Sequence, residues 1–316
     1  GQPSVPMHLN SDGAYFLGLK VGRRSAELVL MDFMGVLRDR ARVTYAYPTP
    51  DAALEFAEQN VSRLIDSLPP DARTRVAGLG IAMPFFLWDW AQTLQVPQEK
   101  MDAWRHVDLQ AALAERVGVP VFLQNDASAA CGAELVLGPE NAPREFLYFY
   151  IGFFIGGGVV LNGAIYSGQG NSGALGPMPV ADASGQIRPL IEVASLYTLE
   201  RAVVASGASA GMIWDRAEHW NLPERILSDW IDTAAVGLAH AIVSSCSLID
   251  FDHVRIDGWI PEDVKARLIA QVQEHLAQHS MTGLTRPDIE AGKIGADARA
   301  LGAATLPLSE KYLIDS

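Results

Sequence analysis

A chain of 316 residues, 49% hydrophobic and 19% charged, is long enough to bury the cores of two domains of ordinary size. Its formal net charge of −13 disfavours direct binding to nucleic acid, because an acidic surface repels phosphates unless a separate basic element is supplied. No apolar run approaches the length of a membrane span and no secretory signal opens the chain, so the composition predicts a cytoplasmic protein without a membrane partner.

The chain contains two cysteines, Cys131 and Cys246, and both lie in apolar stretches with helical character. In a reducing cytoplasm such residues are expected to be buried free thiols and not a disulfide. No cluster of cysteine and histidine has the ligand spacing of a zinc site. The sequence therefore predicts neither a disulfide nor a bound metal.

The first half of the chain has the pattern of an α/β unit that follows an extended segment. Residues 1–12 contain two prolines, Pro3 and Pro6, and no helical period, which predicts an extended segment or linker. Three β-type runs separated by turns then predict an antiparallel meander. In chain order, the predicted elements are strands 15–22, 25–32 and 35–44, helix 51–67, strand 76–82, helix 107–117, strand 119–123 and helix 126–137.

The second half alternates strands and helices again, which predicts a second α/β unit. Its centre runs from Phe146 to Val180 and contains a strand, a glycine cluster, a second strand and a glycine-rich turn. Asn162-Gly163 between two apolar runs predicts a two-residue hairpin. The other predicted elements are helices 189–205 and 222–249, strand 253–256, and helices 261–279 and 296–312.

The glycine cluster Gly156 to Gly158 follows a β-type run. Three consecutive glycines allow the backbone to turn tightly and to approach another group closely. A strand, a glycine turn and a hairpin often line a phosphate or sugar site. An ordinary tight sheet with small residues at its crossings explains the same pattern, so the glycines alone leave both interpretations open.

Two acidic positions are candidates for a ligand site. Asp126 follows Asn125 at the end of a predicted strand and opens a helix, where a carboxylate either acts as a general base toward a hydroxyl or caps the helix. Glu192 lies near the start of another predicted helix, where a carboxylate either accepts bonds from vicinal hydroxyls or interacts with the helix dipole. The residues alone leave these alternatives open.

Three motifs resemble those of the ROK family (repressors, open reading frames and sugar kinases). Gln-Asn-Asp-Ala-Ser-Ala-Ala at 124–130 is similar to the family's Glu-Asn-Asp-Ala-Asn-Ala-Ala. The spacing of 152–158 resembles Gly-Thr-Gly-Ile-Gly-Gly-Gly, and Leu-Ile-Glu-Val-Ala-Ser at 190–195 resembles Cys-Leu-Glu-x-x-Ala-Ser. The resemblance covers nearly the whole chain.

The resemblance implies an α/β fold, namely the two-lobed actin-like ATPase or sugar kinase (ribonuclease H-like) fold with a cleft between the lobes. It assigns residues 13–127 and the terminal helix, 296–316, to the first lobe and residues 128–295 to the second. Residues 1–12 resemble the Gly-Arg-Pro-x-x-Pro-Leu-x-Leu-Asn segment that follows the winged helix-turn-helix domain in ROK regulators. We therefore expect these residues to be a linker that follows a DNA-binding domain absent from this chain.

The resemblance also implies roles for the candidate residues. In the family, the asparagine and aspartate that correspond to Asn125 and Asp126 hold sugar hydroxyls, and the aspartate deprotonates the hydroxyl that is phosphorylated. The glutamate that corresponds to Glu192 contacts the sugar. Asn125, Asp126 and Glu192 are thus the expected ligand-binding residues, with Asp126 a general base only if the chain is a kinase.

Three departures from the family pattern affect the nucleotide side. The first hairpin of ROK kinases carries Asp-x-Gly-Gly-Thr, whereas this chain has Lys20-Val-Gly-Arg-Arg-Ser, which replaces a carboxylate metal ligand with cations. The Gly-Thr-Gly turn is replaced by Gly-Phe153-Phe154, and a Gly-Gly-Gly run on the adenosine side by Asp257-Gly-Trp259. We therefore expect that ATP and magnesium are not bound in the usual way.

The sugar side departs from the pattern as well. The Glu and His of the family's Gly-Glu-x-Gly-His are replaced by Ala174 and Pro177, and no zinc-binding cysteine loop precedes the 190–195 motif, so the family's structural zinc is expected to be absent. The loss of two polar ligands implies a less hydroxylated ligand or weaker sugar binding. Phe85, Phe86 and Trp88 occupy the place of a glycine-bearing sugar loop, where aromatic faces stack on a sugar ring or form a core or interface patch.

The resemblance implies the sugar-sensing effector domain of a ROK-type transcriptional regulator with a degenerate, inactive kinase site. Its expected partners are a small sugar or sugar derivative, further copies of the chain in a homodimer or higher homo-oligomer, and DNA only through the upstream domain. The first alternative is an ATP-dependent sugar kinase, and the second is a ligand-free oligomerisation scaffold.

Overall fold

The computed structural model of the protein describes residues 8–139, 142–182 and 184–313. The chain divides into two compact units. Unit 1 comprises the residues up to Ala129 together with those from Arg299 onward, and unit 2 comprises Ala130–Ala298. Most of the predicted linker, residues 1–7, lies outside the described residues, and Ser11–Gly13 forms a single 3₁₀ turn capped by the side chain of Asn10.

Unit 1 contains a five-stranded sheet in the order β3-β2-β1-β4-β5. The first three strands form the predicted antiparallel meander, and β4 and β5 extend the sheet in parallel from β1. The strands are β1 (Tyr15–Val21), β2 (Ser25–Asp32), β3 (Leu37–Thr44), β4 (Val76–Met83) and β5 (Val121–Asn125). Because β1, β4 and β5 run in one direction, their carboxyl ends lie at the same edge of the sheet.

The helices of unit 1 begin at recognisable caps. Thr49 accepts a hydrogen bond from the Ala52 amide at the start of α1, and Asp108 does the same for the Ala111 amide at the start of α4. The Asp108 cap explains why α4 begins two residues later than predicted. The first five helices are α1 (Pro50–Asp66), α2 (Ala91–Leu94), α3 (Gln98–Asp102), α4 (Leu109–Val117) and α5 (Asp126–Leu137), the last of which continues into unit 2.

Unit 2 contains a second five-stranded sheet in the order β12-β11-β6-β7-β8, and β9 pairs separately with β10. The antiparallel trio β6-β7-β8 is extended in parallel by β11 and β12, which repeats the strand order and directions of unit 1. The strands are β6 (Phe146–Ile151), β7 (Ile155–Leu161), β8 (Ala164–Ile165), β9 (Pro179–Ala181), β10 (Ile187–Pro189), β11 (His253–Gly258) and β12 (Asp288–Ala291). The predicted second α/β unit is therefore confirmed.

The predicted helix 189–205 is two helices in the structure. Ser195 has an extended backbone between them, and its hydroxyl accepts a hydrogen bond from the Ile155 amide at 2.9 Å, so a tertiary contact stabilises the break. The remaining helices are α6 (Ile191–Ala194), α7 (Leu196–Ala205), α8 (Gly211–Trp214), α9 (Glu224–Cys246), α10 (Glu262–Gln278) and α11 (Ala298–Tyr312).

The sequence predicted a turn at the central glycines, but the structure has them in a strand. Gly156 to Gly158 lie inside β7, and the turn before β7 is formed by residues 152–154. The expected close approach is present, because a side chain at Gly157 would collide with the Tyr148 carbonyl of β6. Asn162 and Gly163 have φ angles of 54° and 75°, which confirms the predicted hairpin as a turn with two positive φ angles.

Two apolar predictions have opposite outcomes. Cys131 and Cys246 are buried and free, as expected. By length and composition, however, α9 could cross a membrane, with a mean hydropathy of 1.3 over its 18-residue window, so the expectation that no segment reaches that length was wrong. Ile231, Leu238 and Ile242 of α9 are buried in the core of unit 2, which accounts for its apolar character.

Candidate functional site

The carboxyl edge of the unit 1 sheet brings together two regions that the sequence analysis singled out. Lys20 of β1 pairs in register with Ala82 of β4, and Met83 pairs with Asn125 of β5. Asp126 directly follows as the first residue of α5. The altered first hairpin and the Asn-Asp motif therefore end at the same edge of one sheet.

Asn125 is the residue that caps α5. Its Oδ1 accepts hydrogen bonds from the Ala127 amide at 3.0 Å and, more weakly, from the Ser128 amide at 3.4 Å. The cap predicted as an alternative role for Asp126 thus belongs to its neighbour. With Oδ1 engaged, the Nδ2 group is the part of Asn125 that is chemically suited to donate to a ligand hydroxyl or carbonyl oxygen.

Asp126 forms an ion pair that the sequence did not predict. Arg299 Nη1 donates to Asp126 Oδ2 at 3.1 Å. The Arg299 side chain is only 12% exposed and the Asp126 side chain only 14%. The pair joins the start of α5 to the first turn of α11. An arginine that donates to the carboxylate occupies one of its acceptor positions, which opposes a role of Asp126 as a general base. No local sequence signal points to Arg299.

The terminal helix α11 reaches this edge because the sheet has small residues beneath it. A side chain at Gly18 of β1 would collide with the Ala300 carbonyl, and one at Gly80 of β4 would collide with the Ala303 carbonyl. Two glycines on adjacent strands thus permit the close approach of α11 that places Arg299 beside Asp126.

Lys20 is buried where ROK kinases have a carboxylate. Its Nζ donates to Ser25 Oγ at 2.9 Å. Burial lowers the pKa of Lys20 to about 7, the positive charge of Arg299 contributes to the decrease, and the negative charge of Glu27 opposes it. At neutral pH a large fraction of Lys20 is therefore uncharged, in a position where a metal ion would require an anionic ligand.

Glu192 lies in unit 2, in the first turn of α6. Its side chain is 48% exposed, and its Oε2 lies 4.0 Å from Arg188 Nη1, at the limit of an ion pair. Arg188 makes a shorter contact with Asp182, at 3.0 Å. Glu192 is thus exposed and only weakly engaged, so its carboxylate is accessible to a ligand.

The turn that replaces Gly-Thr-Gly belongs to an aromatic cluster. Phe153 and Phe154 lie 4.8 Å apart between ring centroids, and both pack on Tyr197 at 6.1 and 5.5 Å. Phe153 also lies 6.0 Å from Trp214, which in turn lies 6.5 Å from Trp259. We call these five rings the aromatic cluster. Two of them, Phe153 and Phe154, stand at positions where the family motif has small residues.

Hydrogen bonds hold the two indoles of the aromatic cluster in place. Trp259 Nε1 donates to the Ile213 carbonyl at 3.0 Å, and Trp214 Nε1 donates to Glu200 Oε2 at 2.6 Å. Phe153 is only 9% exposed. The rings are therefore anchored parts of unit 2 and not loose surface groups.

Asp257 is saturated by contacts within unit 2. Its Oδ1 accepts from Lys265 Nζ at 2.9 Å, and its Oδ2 accepts from the Gly295 amide at 2.8 Å and from the Tyr148 hydroxyl at 3.3 Å. A side chain at Gly292 would overlap Asp257, so the carboxylate fills the space above that glycine. These contacts use the acceptor positions that a metal or a ribose hydroxyl would need.

Lys265, the partner of Asp257, is also saturated. Besides Asp257, its Nζ donates to Glu262 Oε1 at 2.7 Å and to the Gly292 carbonyl at 3.1 Å. Burial alone would lower the pKa of Lys265, but the charges of Asp257 and Glu262 outweigh burial and raise it. Lys265 is thus a charged structural link between β11 and α10.

The aromatic residues of the altered sugar loop lie beside a cavity within unit 1. Phe86 is 50% exposed, and its ring packs edge-on against Trp88 at 5.4 Å. The guanidinium of Arg105 lies 4.9 Å from the centroid of the Trp88 ring. Among the described residues, no group of three or more His, Cys, Asp and Glu side chains could hold a metal ion.

Two sheets with the same strand order, each extended in parallel from an antiparallel trio, define the actin-like fold of the sugar kinases. The family model described as "ROK family" matches residues 16–310. The chain belongs to the ROK family. Both the predicted fold class and the predicted family are therefore confirmed.

Known relatives include both regulators and kinases. The chain is 25% identical over 329 residues to a transcriptional regulator of Mycobacterium bovis, Mb0495, with 99% of this chain and 73% of the relative covered. Two solved structures share the fold with a TM-score of 0.69 each. One is a ROK transcriptional regulator homologous to the MLC protein of E. coli, at 21% identity with coverage of 97% of this chain and 81% of that one.

The other structure is a ROK glucokinase from Streptomyces griseus in complex with glucose and AMPPNP, at 18% identity with coverage of 93% of this chain and 99% of that one. At these identities the two structures show the fold alone. The chain spans less than half the length of several curated relatives that it matches.

Proposed function

We propose that the chain is the ligand-sensing effector domain of a ROK-type transcriptional regulator whose kinase site is inactive. The observation that carries this proposal is the aromatic cluster. Phe153 and Phe154 stand where the family has Gly-Thr-Gly, and both pack against Tyr197. Phe153 also packs against Trp214, which in turn lies beside Trp259. The two phenylalanine side chains add bulk to a turn in which the family motif has glycine and threonine, and we infer that this bulk keeps phosphates from the turn.

The charged residues support the same proposal. A kinase needs a carboxylate to help organise magnesium, and this chain has the buried, half-charged Lys20 at that position. Asp257 on the adenosine side is occupied by Lys265 and by the Gly295 amide. Asp126 is engaged by Arg299. Each change removes a different part of the electrostatic apparatus for phosphoryl transfer.

The proposed ligand is a small sugar or sugar derivative. In unit 1, Asn125 offers its Nδ2 donors and Asp126 offers the acceptor positions that Arg299 leaves. In unit 2, the family resemblance assigns a sugar contact to Glu192, whose carboxylate is exposed. Ligand binding would bias the conformation or the assembly of the domain and thereby change DNA affinity. We propose that the protein acts in the cytoplasm as a homodimer or higher homo-oligomer.

Contact with DNA would come from a winged helix-turn-helix domain and not from this acidic chain, whose net charge is −13. The regulator relative Mb0495 supports this assignment. An active sugar kinase is the alternative that the Asn125-Asp126 motif favours. A scaffold without a ligand is the alternative that Ala174 and Pro177 favour.

A thermal-shift panel of sugars, amino sugars, sugar acids and polyols, each with and without Mg-ATP, tests the proposal. We expect a ligand to stabilise the protein without ATP, by about 2.7 kcal/mol at a concentration of 100 times its Kd. Asp126→Asn and Glu192→Gln should abolish this stabilisation, and the exposed control Glu99→Gln should retain it.

Two other results would contradict the proposal. Stabilisation by Mg-ATP followed by release of ADP with one of the sugars would identify a kinase. The absence of any stabilising ligand across the panel, with the protein folded, would favour the scaffold.

A further inference from the structure

Unit 1 contains an apolar cavity of about 400 Å³ beneath the segment that follows β4. Its walls come from the end of β4 and the next residues, from the start of α4, and from β5. The lining residues are Met83, Pro84, Phe85, Phe86, Leu87, Trp88, Trp104, Val107, Asp108, Leu109, Gln110 and Leu123.

The size and chemistry of the cavity suit a small organic ligand. Ligand pockets are usually about 300–1,000 Å³ in volume, with mostly apolar walls and a few polar groups. A dry apolar cavity of about 150 Å³ already holds a benzene ring. The polar edges of two lining residues are used elsewhere, because Trp104 Nε1 donates to the Pro48 carbonyl at 3.1 Å and Gln110 Nε2 donates to the Val121 carbonyl at 2.8 Å. The cavity therefore offers mainly aromatic and aliphatic surface.

The backbone at the rim of the cavity is strained. Phe86 has φ 60° and ψ 37°, the left-handed region that a bulky aromatic residue rarely adopts. Its ring is nonetheless half exposed, so burial of the ring in the core does not explain the strain. Strained conformations that the surrounding structure maintains are concentrated at ligand-binding sites. The strained backbone thus indicates a ligand site, and this evidence is independent of the cavity.

The cavity is connected to the polar edge of unit 1 through β5. Leu123 lines the cavity, and side chains two residues apart on a strand point to the same face, so Asn125 lies on the cavity side of β5. Met83, another lining residue, is the register partner of Asn125. Residues two apart on a strand are separated by about 7 Å, and one small ligand with a polar end and an apolar end can span that distance.

We propose that the ligand of unit 1 is an aryl glycoside or a closely similar molecule, whose aromatic group enters the cavity and whose sugar hydroxyls bond to Asn125. This inference rests on the proposed function and names the chemical class of its ligand. The aromatic surface of Phe86 and Trp88 suits the flat face of an aryl group. Phe86 is then a specificity-determining residue.

Matched pairs of ligands test the inference by calorimetry on the whole chain. The probes are phenyl and 4-nitrophenyl glycosides of glucose, galactose, xylose and N-acetylglucosamine, each compared with its methyl glycoside and with 4-nitrophenol alone. We expect the aryl glycoside of at least one sugar to bind at least about tenfold more tightly than its methyl glycoside, because the ring buries apolar area that a methyl group cannot.

Variants of the cavity and of the polar edge separate the two ends of the ligand. Phe86→Ala removes the rim ring, and Leu123→Phe and Val107→Phe fill the cavity from two different sides, so that one variant that fails to fold does not remove the test. Each should abolish the advantage of the aryl glycoside and leave methyl glycoside binding unchanged. Tyr166→Ala, an aromatic residue of unit 2 with 51% exposure, is the matched control for Phe86, which is 50% exposed.

Asn125→Asp retains the oxygen that caps α5 and removes the Nδ2 donors. It should weaken aryl and methyl glycosides by the same factor, because both carry the sugar.

The remaining outcomes would overturn the inference in distinguishable ways. If aryl and methyl glycosides bind equally and the cavity variants have no effect, the aryl pocket is wrong and sugar sensing stands. If 4-nitrophenol binds as tightly as its glycosides and Asn125→Asp has no effect, the cavity takes an aromatic ligand without a sugar and both proposals fail. If no glycoside binds while the sugars of the thermal-shift panel do, the inference alone fails.

Discussion

The two units depart from the kinase motifs of the ROK family in different ways. At the edge of unit 1 the change is one of charge, because Lys20 replaces a carboxylate of the family motif and Arg299 pairs with the retained Asp126. In unit 2 the change is one of volume, because Phe153, Phe154 and Trp259 belong to a packed cluster of rings. The edge of unit 1 keeps charged and polar groups that suit a polar ligand, whereas bulky rings crowd the turn of unit 2. We therefore propose sugar binding for the edge of unit 1 and no nucleotide binding for unit 2.

The largest expected effect concerns the Asp257–Lys265 pair of unit 2. Lys265→Met leaves the buried carboxylate of Asp257 without its charged partner, and such a loss costs about 3–5 kcal/mol in the free energy of unfolding. Urea unfolding measures the difference. Arg267→Met, on the same helix, is the matched control, since its pair with Glu224 is exposed to solvent and its loss should change stability far less. Equal effects of the two variants would show that Asp257 is not held by a buried ion pair and would weaken the account of the filled site.

The next effect concerns the aromatic cluster. Phe153→Ala removes a ring that is 9% exposed and contacts three neighbouring rings, and it should lower the free energy of unfolding by about 3 kcal/mol. The exposed Tyr166→Ala should change stability by less than about 0.5 kcal/mol. Denaturant unfolding of both variants provides the measurement. A Phe153→Ala variant as stable as its control would mean that the rings are not packed, and the argument from volume would fail.

A smaller, pH-dependent effect concerns the edge of unit 1. The pKa of Lys20 is about 7 in the folded protein and 10.5 when unperturbed, so the unfolded chain binds more protons between these values and stability rises with pH there. Below pH 7 Lys20 is charged in both states and the folded protein carries the full cost of a buried charge. Lys20→Met should therefore stabilise the protein most below pH 7.

Urea unfolding at pH 6, 8 and 9.5 measures that stabilisation by Lys20→Met relative to the parent protein. It should fall by about 1 kcal/mol per pH unit above pH 7. Lys100→Met, at an exposed position of α3, should show no such trend. A pH-independent difference for Lys20→Met would show that Lys20 is charged throughout this pH range.

Much of the fold could be predicted from local patterns. The strands of the meander, the two-residue hairpin at Asn162-Gly163 and helix 126–137 follow from period, turn chemistry and apolar runs, and the structure has them nearly as predicted. The short helices between residues 87 and 106 and strand β12 were missed, because short elements have too few residues to show a period. The glycines of β7 were predicted to form a turn, because glycine is typical both of tight turns and of strands that another backbone segment approaches closely.

The sequence by itself determined the family, the repeated α/β unit, and the positions where carboxylates and glycines have become cations and rings. Only the tertiary structure decided which groups meet. Arg299 reaches Asp126, and Lys265 is close enough to Asp257 to donate to it. It also decided that Asn125, and not Asp126, caps α5. The physical reason is that charge and capping energies depend on distances between residues far apart in the chain, whereas local patterns record only neighbours.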